Sequence, residues 1–322
     1  MSNDGIAKVQ HYVPQFLLRN WGNGKKDQIH AFDKRSEKSF ATNVKNIASE
    51  SRFYDFESSA GKISLEPGLS KLEGASKPIM EKIIEANSIT TITTDEKSIL
   101  ADFLSVQFTR TAWYRSQLSH LQTIMQERVG SSSLLSISST NEELKSQALL
   151  MLAKAPANYS VHFKNKIWLL LRTSKNHPFI ICDNPLSMQN SYDFGLYGNI
   201  GIAVKGIEIY LPLSPTHALA LWCPSHHDLF NKAREEIFGK LKNKSESPAN
   251  LGERLINISN TIAAITQGVP LEYSEDNVLN FNSLQVYHSE RYIFSNKNDF
   301  SLAQEMLNKN SELKIGPRSK AN

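Results

Sequence analysis

The spacing of the hydrophobic residues changes along the chain from a helical period to short, strand-like runs. In residues 66–86, leucine and isoleucine recur at helical spacing, and Pro67 suits the first turn of that helix. Residues 93–129 carry the strongest helical pattern, and Asp95 and Glu96 would complement the helix dipole in its first turn. We therefore predict two long helices in the first half of the chain.

Short apolar runs predict β-strands, most of them in the second half of the chain. They are bounded by Asn, Pro, Ser and Gly, as antiparallel strands joined by turns are. Two earlier runs, 28–34 and 38–42, could pair as a hairpin, whereas 250–267 is helical again. The later predicted strands are 161–173, 179–182, 207–213, 217–223 and 291–295.

These elements predict an α+β fold, in which a helical N-terminal half packs against a mostly antiparallel sheet in the C-terminal half. We expect a single domain over residues 1–310, helical over about 1–155 and sheet-rich over about 156–300. Residues 311–322 are expected to form a disordered tail.

The composition of the 322 residues is that of an ordinary globular chain, with 40% hydrophobic and 9% aromatic residues. The net charge of +4 is compatible with nucleic acid, but the basic residues are not clustered as in a typical nucleic-acid-binding protein. Cys182 and Cys223 have no metal-type spacing, as in a reduced cytosolic protein. Without a targeting signal or a long apolar run, we expect a cytoplasmic protein that does not bind membranes.

Several well-known catalytic motifs are absent from the sequence. It has no P-loop, no Rossmann glycine fingerprint, no H-E-x-x-H and no paired C-x-x-C. Nucleotide hydrolysis by a known motif and nicotinamide chemistry are therefore set aside, and a zinc site is disfavoured.

Near the start of the chain, residues 9–21 place a histidine ahead of a proline and several large apolar residues. An unperturbed imidazole titrates near pH ~6.5, so it can act as an acid, a base or a metal ligand. Pro14 would begin a helix after His11, and the N-terminal amides of that helix would suit an anion. His11 is either a reactive group at this position or a structural histidine that bonds to the backbone.

Glu66 and Glu73 are seven residues apart in the first predicted helix, so they return to nearly the same face. Two carboxylates on one face could hold a divalent cation such as Mg²⁺ or share acid and base roles. A solvated acidic helix face contains the same residues. Glu73 is the candidate catalytic residue or metal ligand, because Glu66 could lie outside the helix as its cap.

Gln107, Arg110 and Tyr114 fall on one stripe of the second predicted helix, which is apolar around much of its circumference. A buried arginine needs a carboxylate or a bound anion, because an unpaired buried charge is strongly destabilising. Arg110 is therefore expected either to pair with Glu73 or to bind a phosphate or carboxylate. Gln107 and Arg115 are further candidate substrate-binding residues.

A predicted strand ends in Asp183-Asn184-Pro185, which places a carboxylate at the edge of a sheet. Such positions are rigidly held and open, and this suits a catalytic residue or a metal ligand. Asp and Asn before Pro also form turns through their side chains. Asp183 is thus either a functional carboxylate or part of a turn.

Several of these stretches resemble a bacterial family catalogued as domain of unknown function 4238. The resemblance covers most of residues 9–295, and its opening and Asp-Asn-Pro motifs are fairly specific. The family usually has Ser or Thr before the aspartate, whereas this chain has Cys182, which weakens any role of that side chain in orienting Asp183. The resemblance implies one shared fold and no particular chemistry. The matching stretches are HYVPQFLL, FYDFE, LEPGLSKLEG, VQFTRTAWYR, FIICDNPL, YLPLSP and FNSLQVYHSERYIFS.

The candidate residues together favour an enzyme that acts on a phosphate-containing substrate, as a nuclease or phosphodiesterase does. His11 would be the general acid or base, and Arg110 would hold the phosphate. Glu73 and Asp183 would bind a divalent metal or orient the histidine. Such an enzyme would suit a role in stress or phage defence. The alternative is a non-catalytic sensor or binding module that recognises an anionic ligand, a nucleic acid or a protein partner.

We predict that residues around 130–141 form an exposed and mobile connection, because they are rich in serine and short of periodic apolar residues. Limited proteolysis should cut there before any other internal site. Early cuts inside 95–129, with 130–141 protected, would contradict this assignment.

Overall fold

The computed structural model describes residues 7–24, 27–58, 61–129, 140–192, 194–195, 198–243 and 248–319. Among these residues, no helix is both long and apolar enough to cross a membrane. The helices are α1 (Gln15–Leu18), α2 (Glu66–Ala86), α3 (Thr94–Thr109), α4 (Ala112–Val129), α5 (Asn141–Lys164), α6 (Ser225–Lys242), α7 (Pro248–Gln267), α8 (Glu275–His288) and α9 (Ser301–Lys309). The strands are β1 (Val9–His11), β2 (Gln28–Asp33), β3 (Lys38–Asn43), β4 (Ser49–Ser51), β5 (Asp55–Ser58), β6 (Gly61–Ser64), β7 (Ile167–Arg172), β8 (Ile181–Cys182), β9 (Ser187–Asn190), β10 (Ile207–Ser214), β11 (His217–Trp222), β12 (Leu271–Glu272) and β13 (Tyr292–Ser295).

A five-stranded sheet with the order β12-β7-β11-β10-β9 is covered by helices on both faces. Its strands are antiparallel except for β12, which is parallel to β7. Successive side chains of a strand point to opposite faces. Leu170 and Leu219 therefore pack with residues of α2, α3 and α5, whereas Leu169 and Ala220 pack with residues of α7 and α8.

A four-stranded antiparallel sheet joins the two halves of the chain, in the order β3-β2-β13-β8. Phe32 of β2 lies opposite Ile293 of β13, so strands from both ends of the chain share one sheet. The expected separation into a helical N-terminal half and a sheet-containing C-terminal half is therefore wrong. Strands β1 to β6 lie in the first half of the chain, and helices α6 to α9 lie in the second. There, α7 and α8 cover one of the two apolar faces of the five-stranded sheet.

The predicted helix over 93–129 is also wrong as a single element, because the chain breaks between α3 and α4. The backbone N–H of Arg110 still donates to the carbonyl of Val106, which closes the last turn of α3. The hydroxyl of Thr111 then accepts from the backbone N–H of Tyr114 and caps the next helix. The break separates Tyr114 from the stripe that carries Gln107 and Arg110.

Other predicted elements are confirmed, and one predicted strand is shorter than expected. Helix α2 has the predicted bounds, and α5 begins with a capping box formed by Thr140 and Glu143. The predicted hairpin is present as β2 and β3. The run 161–173 begins in α5 and becomes strand β7 only at Ile167, since a short apolar run does not distinguish a buried helix from a strand.

Residues 311–319, which we expected to be part of a disordered tail, contact the rest of the chain. The carbonyl of Pro317 accepts hydrogen bonds from the side chains of Trp113 and Gln117. Arg318 pairs with Glu290 at 2.8 Å. The linker predicted around 130–141 lies outside the described residues except for its last positions, and 320–322 lie outside them as well.

The end of α8 contains a buried histidine whose titration should affect stability. The ring Nε2 of His288 lies 2.8 Å from the carbonyl oxygen of Met188 and 3.2 Å from the backbone nitrogen of the same residue, and Nδ1 has no partner among the described residues. Burial lowers the pKa of His288 from its usual 6.5 to about 4. The folded protein therefore resists protonation of this ring, and the unfolded chain does not.

We predict that the free energy of unfolding falls as the pH falls from about 6.5 towards about 4, because only the unfolded chain takes up a proton at His288 in that range. The contribution is on the order of 3 kcal/mol. Urea unfolding of the wild type and His288→Gln across this range should give a steeper pH dependence for the wild type. Equal slopes would show that His288 is accessible to protons in the folded state.

Candidate functional site

An open cleft of about 340 Å³ lies between the beginning of the chain and helix α2. One wall consists of residues from β1, α1 and the turn after it, and the other wall is one face of α2. The lining residues are His11, Gln15, Phe16, Arg19, Glu66, Ser70, Glu73, Gly74 and Lys77.

His11 ends strand β1, which pairs with β4, and its ring is half-buried in the wall of the cleft. The ring Nε2 lies 3.2 Å from the carbonyl oxygen of Lys45, and such an oxygen only accepts. This contact fixes the proton on Nε2 and leaves the lone pair on Nδ1. Burial lowers the pKa of His11 below 6.5, against the opposing effects of the Lys45 carbonyl and Glu73. His11 is therefore a neutral imidazole at neutral pH, with a basic nitrogen.

A chain of polar contacts continues from the basic nitrogen of His11 along α1. The side-chain amide of Gln15 donates to Nδ1 at 3.3 Å, and its oxygen accepts from Arg19 at 2.8 Å. Arg19 also pairs with Asp27 at 2.9 Å, with both side chains about half exposed. Gln15 thus occupies the position from which a substrate proton would reach the imidazole.

The opposite wall carries four polar side chains on one stripe of α2. Glu66, Ser70, Glu73 and Lys77 are spaced four, three and four residues apart, so they follow one helical face. Burial, and next the neighbouring charge of Glu73, raise the pKa of Glu66 above its usual 4.5. Glu66 is the first residue of α2 and lies inside the helix, after Leu65 at the cap position.

Arg110 lies behind this wall, fully buried, and forms the predicted ion pair with Glu73. Its Nη1 donates to the carboxylate of Glu73 at 2.8 Å, and its Nε donates to the carbonyl of Tyr12 at 3.0 Å. Its Nη2 lies 3.5 Å from the carbonyl of His11. The expectation that Arg110 holds a substrate phosphate does not fit this arrangement, because the guanidinium is buried and bonded on all three nitrogens.

The other two candidate substrate-binding residues do not line the cleft. Gln107 is buried and donates to the carbonyl of Tyr12 at 3.1 Å, next to Arg110. Arg115 lies over the ring of Phe53 at 3.6 Å and donates to the carbonyl of the same residue. Gln107 thus holds the backbone next to His11, and Arg115 holds the backbone of Phe53.

Asp183 is also separate from the cleft, and its carboxylate serves the backbone. It accepts from the N–H groups of Glu290, Arg291 and Tyr292 at 2.7, 2.8 and 2.9 Å. Burial raises the pKa of Asp183 to about 6 despite these bonds. Next to it, Asn184 accepts from the hydroxyl of Thr111. The Asp-Asn-Pro motif therefore joins the strands to the break between α3 and α4.

The expected metal site between Glu73 and Asp183 is not formed, because each carboxylate is bonded to its own partners. Glu73 pairs with Arg110, and Asp183 is surrounded by backbone N–H groups. Within the described part of the chain, no group of three or more His, Cys, Asp or Glu residues is arranged to hold a metal ion. The structure thus brings together His11 and Glu73, with Arg110 beneath them, and places Asp183 elsewhere.

The cleft contains residues that the sequence analysis did not select. Gln15 and Arg19 follow His11 at intervals of four residues, and Ser70 and Lys77 complete the stripe of Glu66 and Glu73. This spacing was readable in the sequence. The role of the Lys45 carbonyl was not, because it depends on a backbone contact across 34 residues.

The chain belongs to the family described as protein of unknown function (DUF4238), whose model matches residues 9–299. This confirms the resemblance seen in the sequence motifs. No curated protein and no solved structure matches the chain.

We predict that Arg110→Ala lowers the free energy of unfolding by on the order of 3–5 kcal/mol, because it removes a fully buried side chain and leaves the carboxylate of Glu73 without its partner. Arg19→Ala is the matched control. The Arg19 ion pair is about half exposed and should contribute less than about 1 kcal/mol. Chemical denaturation of both variants measures the difference, and equal losses would contradict a buried, paired Arg110.

Proposed function

We propose that the His11 cleft is the active site of a hydrolase that acts on a phosphate ester, as a nuclease or phosphodiesterase does. The observation that carries the proposal is the pairing of a base and an acid in one cleft. The pKa of His11 is lowered and that of Glu66 is raised, so the two groups are shifted in the directions that suit a base and an acid.

The imidazole of His11 would act as the general base. The Lys45 carbonyl holds the proton on Nε2, so Nδ1 can accept a proton from a water molecule or hydroxyl that attacks phosphorus. This step requires the Gln15 amide to move away from Nδ1, and the attacking O–H would take its place. Arg110 acts as a positioning residue, because it fixes Glu73 and the backbone at His11 and Tyr12.

Glu66 would donate a proton to the leaving oxygen from the opposite wall. Arg19 and Lys77 line the same cleft and supply the positive charge that we first expected from Arg110. Their side chains are about half exposed, so they can rearrange around a phosphate group. The cleft would thus supply a group that removes a proton, a group that donates one and cationic side chains that bind a phosphate.

We predict that His11→Ala lowers hydrolysis by about 10²–10⁴-fold while the melting temperature changes little, because the half-buried ring makes few packing contacts. Bis(4-nitrophenyl) phosphate and a short single-stranded oligonucleotide are the substrates, each tested with and without Mg²⁺. His227→Ala, at a half-exposed histidine of α6 outside the cleft, is the matched control and should keep full activity. Activity retained in His11→Ala would overturn the proposal.

The pH dependence offers a second test with a defined sign. The base must be unprotonated and the acid protonated, so the rate should rise through a pKa below 6.5 and fall through one above 4.5. The rising limb should therefore lie on the acidic side of neutrality. Glu66→Gln should lower the rate and remove the falling limb of the pH–rate profile. A falling limb that persists in this variant would exclude Glu66 as the acid.

The second candidate is a non-catalytic binding module for an anionic ligand. One observation favours it: the Gln15 amide already donates a hydrogen bond to Nδ1 of His11. A module of this kind would bind the oligonucleotide without turnover, and the binding would weaken in Arg19→Ala and Lys77→Ala. Measuring both binding and product formation separates the two candidates.

We also propose that the protein acts in the bacterial cytoplasm, where hydrolysis of nucleic acid would suit stress or phage defence. The support is the cleft alone. Phage plaque counts on cells that express the wild type or His11→Ala test this role, and equal counts would contradict it.

A further inference from the structure

A second cavity, larger than the His11 cleft, lies on the other side of the five-stranded sheet. Its volume is about 760 Å³, and it is bounded by α7, α8, β12 and side chains of β9, β10 and β11. It is separate from the proposed active site, because the two cavities share no lining residue.

The charges around this cavity are all negative. Four carboxylates line it, and none of its described lining residues is Lys or Arg. One of the four, Glu272, is paired with Arg172 of the neighbouring strand. Glu253 and Asp276 have no partner among the described ion pairs, and Glu208 has only His226, at 3.6 Å. The lining therefore repels phosphates and carboxylates and attracts cations.

Glu208 is the least exposed of these carboxylates, and its two oxygens differ. Oε2 accepts from the hydroxyl of Tyr210 at 2.5 Å and from the amide of Gln189 at 2.6 Å. Oε1 faces only the Nε2 of His226, at 3.6 Å, and that nitrogen already bonds to the carbonyl of Gly206. Because Glu208 lines the cavity and Oε1 is not buried, a donor on a bound molecule can reach this oxygen.

Aromatic rings form the remaining inner wall of the cavity. Tyr210, Trp222 and Tyr273 all line it, and the faces of such rings attract organic cations. Trp222 is only 6% exposed, and its indole Nε1 is buried without a hydrogen-bond partner among the described residues. A donor in this position needs an acceptor, which a bound molecule would supply.

We propose that this cavity binds a small organic cation, whose ammonium group pairs with Glu208 and whose neutral oxygen atoms accept from Trp222. The amides of Asn257, Asn277 and Asn280 line the cavity as well and can bond to hydroxyl groups of such a molecule. The class is that of amino alcohols and amino sugars. The site is a binding site in its own right and does not depend on the chemistry of the His11 cleft.

Isothermal titration calorimetry of the full chain tests the proposal with D-glucosamine below neutral pH, where its amine is charged. D-glucose is the matched neutral probe, since it differs at one group. We expect glucosamine to bind at least about tenfold more tightly than glucose, and Glu208→Gln to remove about tenfold or more of that affinity. Glu142→Gln, at an exposed position outside the cavity, should bind as the wild type does.

Should Glu208→Gln fail to fold, Glu253→Lys provides the same test from an exposed position on α7. It introduces a positive charge at the cavity and should weaken glucosamine binding several-fold. Three results would overturn the proposal: no binding of glucosamine at millimolar concentration, equal affinity for glucose, or displacement of glucosamine by Ca²⁺, which would indicate a metal site. Unchanged affinity in Glu208→Gln or Glu253→Lys would place the binding elsewhere.

Discussion

The buried guanidinium of Arg110 joins the two walls of the His11 cleft to the break between α3 and α4. It donates to Glu73 of α2 and to the carbonyl of Tyr12, beside His11, from a break between two helices. A buried cation without these partners would be strongly destabilising, so the helix break, the first strand and α2 must keep their relative positions. The position of His11 in the wall of the cleft is a consequence of this constraint.

Local structure was readable in the sequence, whereas the pairing between distant segments was not. Helix α2 and the hairpin of β2 and β3 follow from periodicity and turn residues. That β2 also pairs with β13 depends on a contact across roughly 260 residues, for which no local pattern exists. The break at Arg110 was missed for a related reason, since the apolar pattern continues through it while Thr111 caps a new helix.

The candidate site was partly predictable. The pairing of Arg110 with Glu73 was one of two partners expected from the cost of burying a charge, and His11 was selected as a candidate residue before its cleft was known. Asp183 was assigned to the same site because its residue type suits catalysis. Three backbone N–H groups converge on its carboxylate instead, and only the folded chain brings them there.

The central claim is that His11 is a neutral base whose proton is held on Nε2 by the Lys45 carbonyl. NMR titration of the ¹⁵N-labelled imidazole measures this directly, with His11→Gln used to assign the signal. We predict the Nε2–H tautomer at neutral pH and a His11 pKa below 6.5, lowered further in Glu73→Gln because the charge of Glu73 favours protonation. A ring that is protonated at neutral pH, or that carries its proton on Nδ1, would contradict it.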